Sequence, residues 1–465
     1  MRNRRRSRRA AVDADARRWR RKRLISVPTA SPSRTTSGTS STTRSSPGPG
    51  AMSAVTGGKP AMRAAIVTAG CRLNQAESDA LSAWLRLQGF TVVREPAEAD
   101  VCYVNTCTVT AAADRSSLQL VRRAAGRDGT RVVVMGCLAE RRPERLREIP
   151  GVSEVWSARE KRRATGLVPV PVRSRPLLKV QDGCDRGCAF CVVSRVRGAP
   201  VSVDPDRVAH AVADLVSAGH CEVVLTGLNL GRYHHGATRL AGLLARLLCV
   251  PGSFRLRLGS LEPDSIDDRL VEALADERIC PHFHLALQSA DDRLLTAMNR
   301  RYGFAAFRRL VGRLVRDRTD ACIGADVISG LPGESPESAG LTHERLAELP
   351  LAYLHAFTYS VRPGTPAAQM PGRVPAHEAS ARTARLRRLS TEFGRRYASR
   401  FPGSVRDAVV ESDRVVVTDN YLRVRLCEPT AIAARRNCRV RIESMTASVS
   451  APLAALVGLC QEENQ

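Results

Sequence analysis

Short apolar runs alternate with amphipathic stretches through most of the chain. The first three apolar runs have the length and content of buried parallel strands, and a stretch with helical periodicity follows each of them. The runs lie at 64–70, 101–106 and 132–136, and the helical stretches at 77–88, 111–125 and 139–148. This alternation predicts an α/β domain with a parallel sheet over residues 63–165.

The same alternation continues over residues 175–400, after a proline-rich linker at 168–176. Strands are predicted at 177–180, 222–226, 254–259, 282–288, 322–328 and 353–359. Helices are predicted at 205–218, 238–248, 266–276, 291–298, 304–317 and 336–348. The pattern therefore predicts a second α/β domain, which ends in a strongly basic helix at 376–400.

After residue 400 the pattern changes to short alternating strands. They are predicted at 414–418, 421–426 and 437–442. We therefore expect a small β-domain over residues 401–449. A tail at 450–465 follows, and its apolar run fits such a domain poorly.

Charge is distributed unevenly along the chain. The net charge is +26, and half of it, +13, lies in residues 1–62, which hold 15 Lys/Arg and 2 acidic residues. That segment is Arg-rich and then Ser/Thr/Pro/Gly-rich, a composition that cannot bury a core and predicts disorder. Three interpretations are open: an RNA-binding arm, a transit peptide, or a misassigned start with Met52 or Met62 as the first residue. We favour the last.

Cysteine content and hydropathy narrow the function classes. No run approaches 18 apolar residues, so no transmembrane helix is expected. The chain has 14 cysteines and no recognisable signal peptide. In a reducing compartment such as the cytoplasm, cysteines bind metals more often than they form disulfides.

Residues 184–191 carry the most informative cysteines. Cys184, Cys188 and Cys191 have the spacing C-x₃-C-x₂-C, on a loop that follows a predicted strand. Three thiolates hold three corners of a 4Fe–4S cube and leave one iron open, whereas an electron-carrying cluster usually has four. The alternative is a structural zinc site, although zinc normally takes four closed ligands and this motif offers three.

Three more cysteines, Cys71, Cys107 and Cys137, each follow one of the first three apolar runs. In α/β units, ligands collect beyond the carboxyl ends of strands, and helix N-termini there favour thiolate over thiol. The three cysteines can therefore converge although 36 and 30 residues separate them, which predicts a second three-thiolate cluster. Spacing alone leaves the alternative of three buried structural cysteines open.

Both cysteine sets resemble those of known enzymes. The loop at 184–191 resembles the cluster loop of the radical S-adenosylmethionine (SAM) enzymes. The segments 71–78, 104–110 and 135–140 resemble the N-terminal domain of the methylthiotransferases, and the similarity extends over about 63–450. It implies a partial (β/α) barrel over 175–400, a small RNA-binding β-barrel of the TRAM type over 401–449, two 4Fe–4S clusters and SAM. It also implies insertion of sulfur and then methyl into an unactivated C–H bond.

Within the methylthiotransferases, several segments resemble the tRNA threonylcarbamoyladenosine branch. They lie at 105–110, 113–115, 257–263, 281–289, 298–302 and 416–421. This branch implies a methylthio group on carbon 2 of the modified adenosine just 3′ of the anticodon. The isopentenyladenosine and ribosomal-protein aspartate branches are the alternatives within the family. A non-catalytic RNA-binding protein with a structural metal is the alternative from another class.

The resemblance also implies roles for single residues. The cluster on Cys184, Cys188 and Cys191 would bind and cleave SAM, and the cluster on the other three cysteines would supply the methylated sulfur. Barrel chemistry concentrates at the carboxyl ends of strands, so residues there are candidates for SAM contacts, with helix capping as the alternative. These candidates are Phe190, Thr226, Gly227, Asn229, Ser260, Glu262, Gln288 and Asp326.

The remaining predictions concern the core, the surface and the partners. Cysteines in other apolar runs are expected in the core: Cys102, Cys221, Cys249, Cys280 and Cys322. Arginines in the C-terminal third are expected to contact phosphates: Arg395, Arg396, Arg400, Arg435, Arg436, Arg439 and Arg441. The expected partners are a tRNA anticodon loop and a reducing electron donor such as flavodoxin or ferredoxin, with no membrane contact.

Overall fold

The computed structural model describes residues 61–166, 173–434 and 436–445 and the strand at 456–461. Residues 62–465 belong to one compact unit. The predictions for residues 1–60, for residues 168–172 of the linker, for Arg435 and for residues 446–455 and 462–465 lie outside the described residues.

The N-terminal part is a five-stranded parallel sheet in the order β2-β1-β3-β4-β5, as the sequence predicts. Apolar clusters fill both faces of the sheet beneath its helices, because its central strands are buried on both sides. The strands are β1 (Arg63–Thr68), β2 (Thr91–Val92), β3 (Val101–Thr106), β4 (Arg131–Gly136) and β5 (Val152–Val155). The helices are α1 (Arg72–Leu87), α2 (Ala111–Ala125), α3 (Cys137–Arg141), α4 (Pro143–Arg147) and α5 (Ala158–Ala164).

Two helices differ from their predicted bounds. Helix α1 begins directly after Cys71 rather than at 77, and Leu73 on its first turn is buried. The predicted helix at 139–148 is two short helices, α3 and α4, which meet at Pro143. Proline lacks the N–H that the helix ladder needs and clashes with the preceding turn, so the helix restarts there.

The central part is an open (β/α) barrel, as the resemblance implied. Its strands form two sheets, β7-β6-β8-β11 and β12-β13-β14, which parallel bridges at Leu256–Ile279 and Leu261–Leu285 connect. The strands are β6 (Leu177–Asp182), β7 (Val201–Ser202), β8 (Glu222–Gly227), β9 (His234–His235), β10 (Thr238–Arg239), β11 (Arg255–Leu258), β12 (His282–Gln288), β13 (Cys322–Ser329) and β14 (Tyr353–Thr358), with β9 and β10 in a separate hairpin. The helices are α6 (Val193–Arg197), α7 (Pro205–Ser217), α8 (Leu240–Leu247), α9 (Asp268–Leu274), α10 (Asp292–Ala297), α11 (Phe304–Asp317), α12 (Pro336–Ala347) and α13 (Ala376–Ala398).

The C-terminal part is a closed five-stranded barrel in the order β15-β16-β17-β19-β18. The sequence predicts a tail at 450–465, and this is wrong for residues 456–461. They form β19, which pairs with both β17 and β18, so the apolar run closes an edge that would otherwise be open. The strands are β15 (Val405–Ser412), β16 (Val415–Thr418), β17 (Arg423–Leu426), β18 (Asn437–Met445) and β19 (Leu456–Gln461).

One shared apolar cluster joins the two barrels. Tyr353 at the start of β14, Tyr397 on α13 and Cys322 on β13 pack against the inner residues of the C-terminal barrel. Of the five cysteines expected in the core, Cys249 is exposed and Cys221 is partly exposed; Cys249 lies after the end of α8 and Cys221 directly before β8. Within the described residues, no helix has both the length and the apolar character needed to span a bilayer.

Candidate functional site

The loop of the first cysteine triad follows β6 and is held at both ends by backbone hydrogen bonds. The N–H of Cys184 donates to the carbonyl of Gly198 at 3.0 Å, and that of Cys191 to the carbonyl of Cys188 at 3.0 Å. Cys188 is buried, whereas Cys184 and Cys191 are partly exposed. Burial, together with the thiols of Cys188 and Cys184, raises the pKa of Cys191 to about 11.

A buried arginine contacts a sulfur of this triad. Arg300 donates from Nη1 to the Sγ of Cys188 at 3.3 Å and to the Oε1 of Glu262 at 3.3 Å. Its guanidinium lies over the ring of Tyr302, 5.2 Å from the centroid. The guanidinium thus places a hydrogen-bond donor and a positive charge directly beside the sulfur of Cys188.

The second triad lies at the carboxyl ends of three neighbouring strands. Cys71 follows β1 and precedes α1, Cys107 follows β3, and Cys137 follows β4 as the first residue of α3. Burial is the main cause that raises the pKa of Cys107 to about 11, and the charges of Cys137 and Cys71 contribute to this rise. The structure therefore brings together three thiols that lie far apart in the chain, and none of them forms a disulfide.

Two glycines allow the strand ends to approach this closely. Gly70 has φ of 101°, and a Cβ there would lie 2.6 Å from the Cβ of Cys107. Gly136 has φ of 99°, and a Cβ there would lie 2.4 Å from the carbonyl oxygen of Thr106. Any larger residue would push the cysteine loops apart.

The two triads adjoin one another. Cys137 packs in one apolar cluster with Val192, Val193 and Val196 of the first loop, and Cys191 packs against the same cluster. A buried guanidinium, that of Arg197, donates from Nε to the Sγ of Cys137 at 3.3 Å. Burial raises the pKa of Cys137, and the charge of Arg197 opposes that rise.

The spacing of the thiols suits iron–sulfur cubes better than single ions. Among the described residues, only His284, Asp326 and His355 bring three ligating atoms within 4.8 Å of one another, so at least one pair of sulfurs in each triad lies further apart than that. Three sulfurs on one zinc ion would be about 3.8 Å apart, given a Zn–S distance of about 2.3 Å. The wider spacing fits thiolates that bind separate irons of one cube.

Of the predicted SAM contacts, Asn229 is best placed beside the first triad. Its Nδ2 lies 3.7 Å from the Sγ of Cys184, and its backbone N–H donates to the Oε1 of Gln181 at 2.8 Å. Its Oδ1 is buried and has no hydrogen-bond partner among the described residues. A buried acceptor without a partner near Cys184 agrees with a ligand contact here, and the role of Asn229 in SAM binding stays a prediction. Thr226 and Gly227 end the neighbouring strand β8.

The other candidates are spread around the mouth of the barrel. Gln288 ends β12 with φ of 79°, an uncommon conformation for a residue with a side chain, and such conformations cluster at functional sites. Phe190 packs against the apolar cluster of α10 and Leu331. Glu262 pairs with Arg300, and burial raises the pKa of its carboxyl. Ser260 is exposed.

Asp326 lies inside the barrel, in a polar group of its own. Its Oδ1 accepts a hydrogen bond from the Nε2 of His284 at 2.9 Å and lies 3.4 Å from the Nδ1 of His355. Burial alone would raise the pKa of Asp326, but the two imidazoles hold it well below its usual range. The hydroxyl of Tyr353 lies 3.0 Å from the Nδ1 of His284 and 2.8 Å from the Nε2 of His282. The role of Asp326 in SAM binding stays a prediction.

Sequence reasoning missed the charged residues that contact the thiols. Arg197 and Arg300 lie in or beside segments that carry the family resemblance, so their positions stand out, but no spacing rule assigns them a partner. Glu77, which is fully buried and pairs with Arg197, lies in the segment after Cys71. The pair His234 and His235 is exposed and forms a short strand.

The chain matches two protein-family models and is similar to known enzymes in sequence and in structure. The model of "Uncharacterized protein family UPF0004" matches residues 63–157, and that of the "Radical SAM superfamily" matches residues 178–346. The chain is 34% identical over 395 residues to the threonylcarbamoyladenosine tRNA methylthiotransferase of Aquifex aeolicus, covering 78% of this chain and 96% of that one. It is 33% identical to the tRNA-2-methylthio-N(6)-dimethylallyladenosine synthase of Jannaschia sp., covering 70% and 79%. The solved structure of the radical SAM methyltransferase TsrM from Kitasatospora setae has a TM-score of 0.49 at 18% identity, covering 66% and 75%.

Proposed function

Because this chain belongs to the threonylcarbamoyladenosine tRNA methylthiotransferases, we propose that it adds a methylthio group to carbon 2 of threonylcarbamoyladenosine next to a tRNA anticodon. It is a radical SAM enzyme. The family excludes the alternative of a non-catalytic RNA-binding protein with a structural metal.

One observation supports this chemistry above the others: two sets of three thiols adjoin, and each has an arginine on one sulfur. A single triad would suit any radical SAM enzyme. A second triad built from three separate strand ends, packed against the first loop, is what a sulfur-inserting enzyme requires, because the sulfur must be delivered where the radical forms.

In this proposal the first triad holds a 4Fe–4S cluster whose open iron binds SAM, and the second triad holds another. When bound, these groups supply the electron that cleaves SAM and the sulfur that is transferred. The chain's own residues bind and orient them. Asn229 offers a free acceptor to the SAM amino group, Arg300 holds Cys188, and the apolar cluster around Phe190 excludes water from the mouth of the barrel.

Further partners follow from the chemistry. A reducing donor such as flavodoxin or ferredoxin would supply the electron, and a cytoplasmic location would keep the thiols reduced and give access to tRNA. The C-terminal barrel, which the resemblance relates to the TRAM type, would hold the anticodon loop.

Iron content and SAM cleavage test the assignment of the first triad. Anaerobically reconstituted protein should hold about eight irons, two cubes of four. Replacing Cys184, Cys188 and Cys191 together with Ala should halve that number and abolish formation of 5′-deoxyadenosine. If the triple variant still makes 5′-deoxyadenosine, the assignment is wrong.

Removal of the second triad should affect the methylthio product and not the cleavage of SAM. Replacing Cys71, Cys107 and Cys137 with Ala should leave SAM cleavage intact and eliminate the methylthio product, since no sulfur would be available. Loss of both activities in a folded protein that retains about four irons would contradict this division of roles.

Mass spectrometry of tRNA nucleosides identifies the substrate. A deletion strain should lose the methylthio form of threonylcarbamoyladenosine and retain threonylcarbamoyladenosine that lacks the methylthio group. Loss of methylthio-isopentenyladenosine instead would support the alternative tRNA branch. Unchanged tRNA with an altered ribosomal protein would support the aspartate branch.

A further inference from the structure

Arg197 lies between the two triads, and its side chain is almost fully buried. Its Nε donates to the Sγ of Cys137 at 3.3 Å. Its Nη1 donates to the Oε1 of Glu77 at 2.8 Å and to the Oδ1 of Asp182 at 3.0 Å. All three nitrogens of the guanidinium are engaged, so its orientation is fixed by the surrounding structure.

The third nitrogen connects Arg197 to the other two cysteine loops. Nη2 donates to the Oδ1 of Asn74 at 2.8 Å. The Nδ2 of Asn74 donates in turn to the carbonyl of Ala69 at 2.8 Å and to that of Thr106 at 3.0 Å. Ala69 lies two residues before Cys71, and Thr106 lies directly before Cys107. One guanidinium thus contacts one sulfur directly and supports the two other loops through Asn74.

The charges around Arg197 leave an excess of positive charge beside the second triad. Glu77 also pairs with Lys161 at 3.0 Å and with Lys179 at 3.1 Å, and Lys179 pairs with Asp182. Burial alone would raise the pKa of Glu77, but the charges of Arg197, Lys161 and Lys179 hold it well below its usual range. Three cations therefore face two carboxylates in a buried region, where charges are weakly screened.

Arg197 belongs to the first cysteine loop, although its sulfur contact is with the second triad. It lies six residues after Cys191, at the end of α6. The first triad has a contact of the same kind, from Arg300 to Cys188. Each triad therefore has its own arginine, and the one for the second triad is supplied by the loop of the first.

We propose that Arg197 is a positioning residue for the second cluster, whose presence rests on the proposed function. It fixes the three cysteine loops against the first cluster loop and raises the reduction potential of the second cluster. Hydrogen bonds to cluster sulfurs and nearby positive charge stabilise the more negative, reduced state, so removing them lowers the potential. Arg300 has the same effect on the first cluster only.

The test measures the potential of each cluster by itself. In protein with Cys184, Cys188 and Cys191 replaced by Ala, the remaining cluster is titrated against dithionite and followed by electron paramagnetic resonance. Arg197→Gln should shift its midpoint to a more negative potential, and Arg197→Lys, which keeps the charge but loses the forked donor, should shift it less. Arg195→Gln removes the same charge from an exposed position on the same helix and should cause no shift.

The reciprocal background gives the matched control. With Cys71, Cys107 and Cys137 replaced by Ala, Arg300→Gln should lower the midpoint of the first cluster, and Arg197→Gln should leave it unchanged. Loss of the second cluster alone from folded Arg197→Gln protein also supports the proposal, because the ligands then depend on this contact.

Three results would overturn the inference. These are an unchanged second-cluster midpoint in Arg197→Gln, an equal shift of both clusters, or unfolding of both Arg197→Gln and Arg197→Lys, which would make the residue purely structural. Failure of the proposed function is distinguishable, because protein without the first triad would then hold no iron–sulfur cluster even with Arg197 intact.

Discussion

Glycine immediately precedes a cysteine at three strand ends, at Gly70, Gly136 and Gly183. The pattern is visible in the sequence, but its reason lies in the packing. Each glycine has a positive φ, and a Cβ at each would lie closer than 3.0 Å to another part of the chain. The thiols can converge because nothing larger than hydrogen lies beside them.

Substitution of Gly136 tests whether the close packing at this position, rather than the strained backbone conformation alone, requires glycine. Gly136→Ala should reduce the iron bound by the second triad by more than half, measured in protein without the first triad. The new Cβ would lie 2.4 Å from a backbone oxygen, in addition to a conformational cost of about 1–3 kcal/mol. Gly129→Ala, with φ of 75° but nothing within 4 Å, is the control and should retain its iron. Equal iron loss in both variants would contradict the packing argument.

Two predicted SAM contacts differ in their surroundings and should differ in effect. Asn229→Ala should weaken SAM binding about 10-fold, since a hydrogen bond to a charged group contributes about 1.5 kcal/mol or more. Ser260→Ala, at an exposed position, should change it less than about twofold. Equilibrium dialysis on reconstituted protein measures both. A larger effect at Ser260 would place the amino group of SAM elsewhere.

The candidate ligands could be predicted from the sequence and their charged partners could not. Cys184, Cys188 and Cys191 lie on one loop, so their spacing carries the chemistry directly. The other three cysteines needed the rule that ligands collect at strand ends. Arg197 could not be assigned in this way, because the chain has 72 lysines and arginines and its partner lies 60 residues away.

At the scale of elements, apolar periodicity predicted the long helices and buried strands closely. Helix α11 has the predicted bounds, Phe304–Asp317, and strand β12 also has the predicted bounds, His282–Gln288. The missed strands are short or lie outside this pattern. Strand β7 has two residues and pairs antiparallel with β6, and β19 pairs antiparallel with β18 and parallel with β17. Such elements depend on tertiary pairing more than on local propensity.

One buried ion pair stabilises the contact between the central barrel and the C-terminal barrel. Glu222 at the start of β8 accepts two hydrogen bonds from Arg257 of β11, at 2.6 and 2.9 Å. Arg257 also donates to the carbonyl of Thr418 on β16 at 3.1 Å. The pair therefore stabilises the docking of two elements that are distant in the chain.

This pair predicts a pH dependence of stability. Burial alone would raise the pKa of Glu222, but Arg257, Arg175 and Arg255 lower it from its usual 4.5 to about 2. Because the folded pKa lies below the unfolded one, the stabilisation is fully present above about pH 4.5 and is lost as the pH falls towards 2.

Glu222→Gln should therefore reduce the free energy of unfolding at neutral pH by about 3–5 kcal/mol, because it leaves buried arginines without a counter-charge. The difference from wild type should narrow between pH 4.5 and 3, in urea unfolding followed by circular dichroism. Glu344→Gln, at an exposed position on α12, is the control and should leave stability nearly unchanged at every pH. A difference between Glu222→Gln and wild type that stays constant with pH would show that the carboxylate charge is not the stabilising feature.

At the scale of the whole molecule, the C-terminal barrel presents exposed arginines on two of its strands. Along β17 and β18, arginines alternate with buried apolar residues, as a strand with one face in the core requires. The exposed positions are Arg423, Arg425, Arg439 and Arg441. Exposed cations on the strands of a rigid barrel are suited to the phosphates of a folded RNA.

Salt dependence of tRNA binding tests this surface. If Arg439 and Arg441 each neutralise one phosphate, replacing both with Ala should make the slope of log affinity against log salt shallower by about 1.4–1.8. Filter binding at several salt concentrations measures the slope. SAM cleavage without RNA should be unchanged, because the substitutions lie on the C-terminal barrel, outside the thiol loops.

The matched control for this prediction is the pair Arg308→Ala and Arg309→Ala, which removes the same charge from the exposed face of α11. A phosphate contact is local, so this control should leave both the slope and the single-turnover modification of tRNA nearly unchanged. Equal losses from the two pairs would mean that tRNA responds to the overall positive charge of the protein. If replacing Arg439 and Arg441 has no effect on tRNA binding, the RNA does not bind this face of the C-terminal barrel. The alternative binding surface is then the groove lined by Arg72, Arg173 and Arg423, between the N-terminal sheet, the central barrel and the C-terminal barrel.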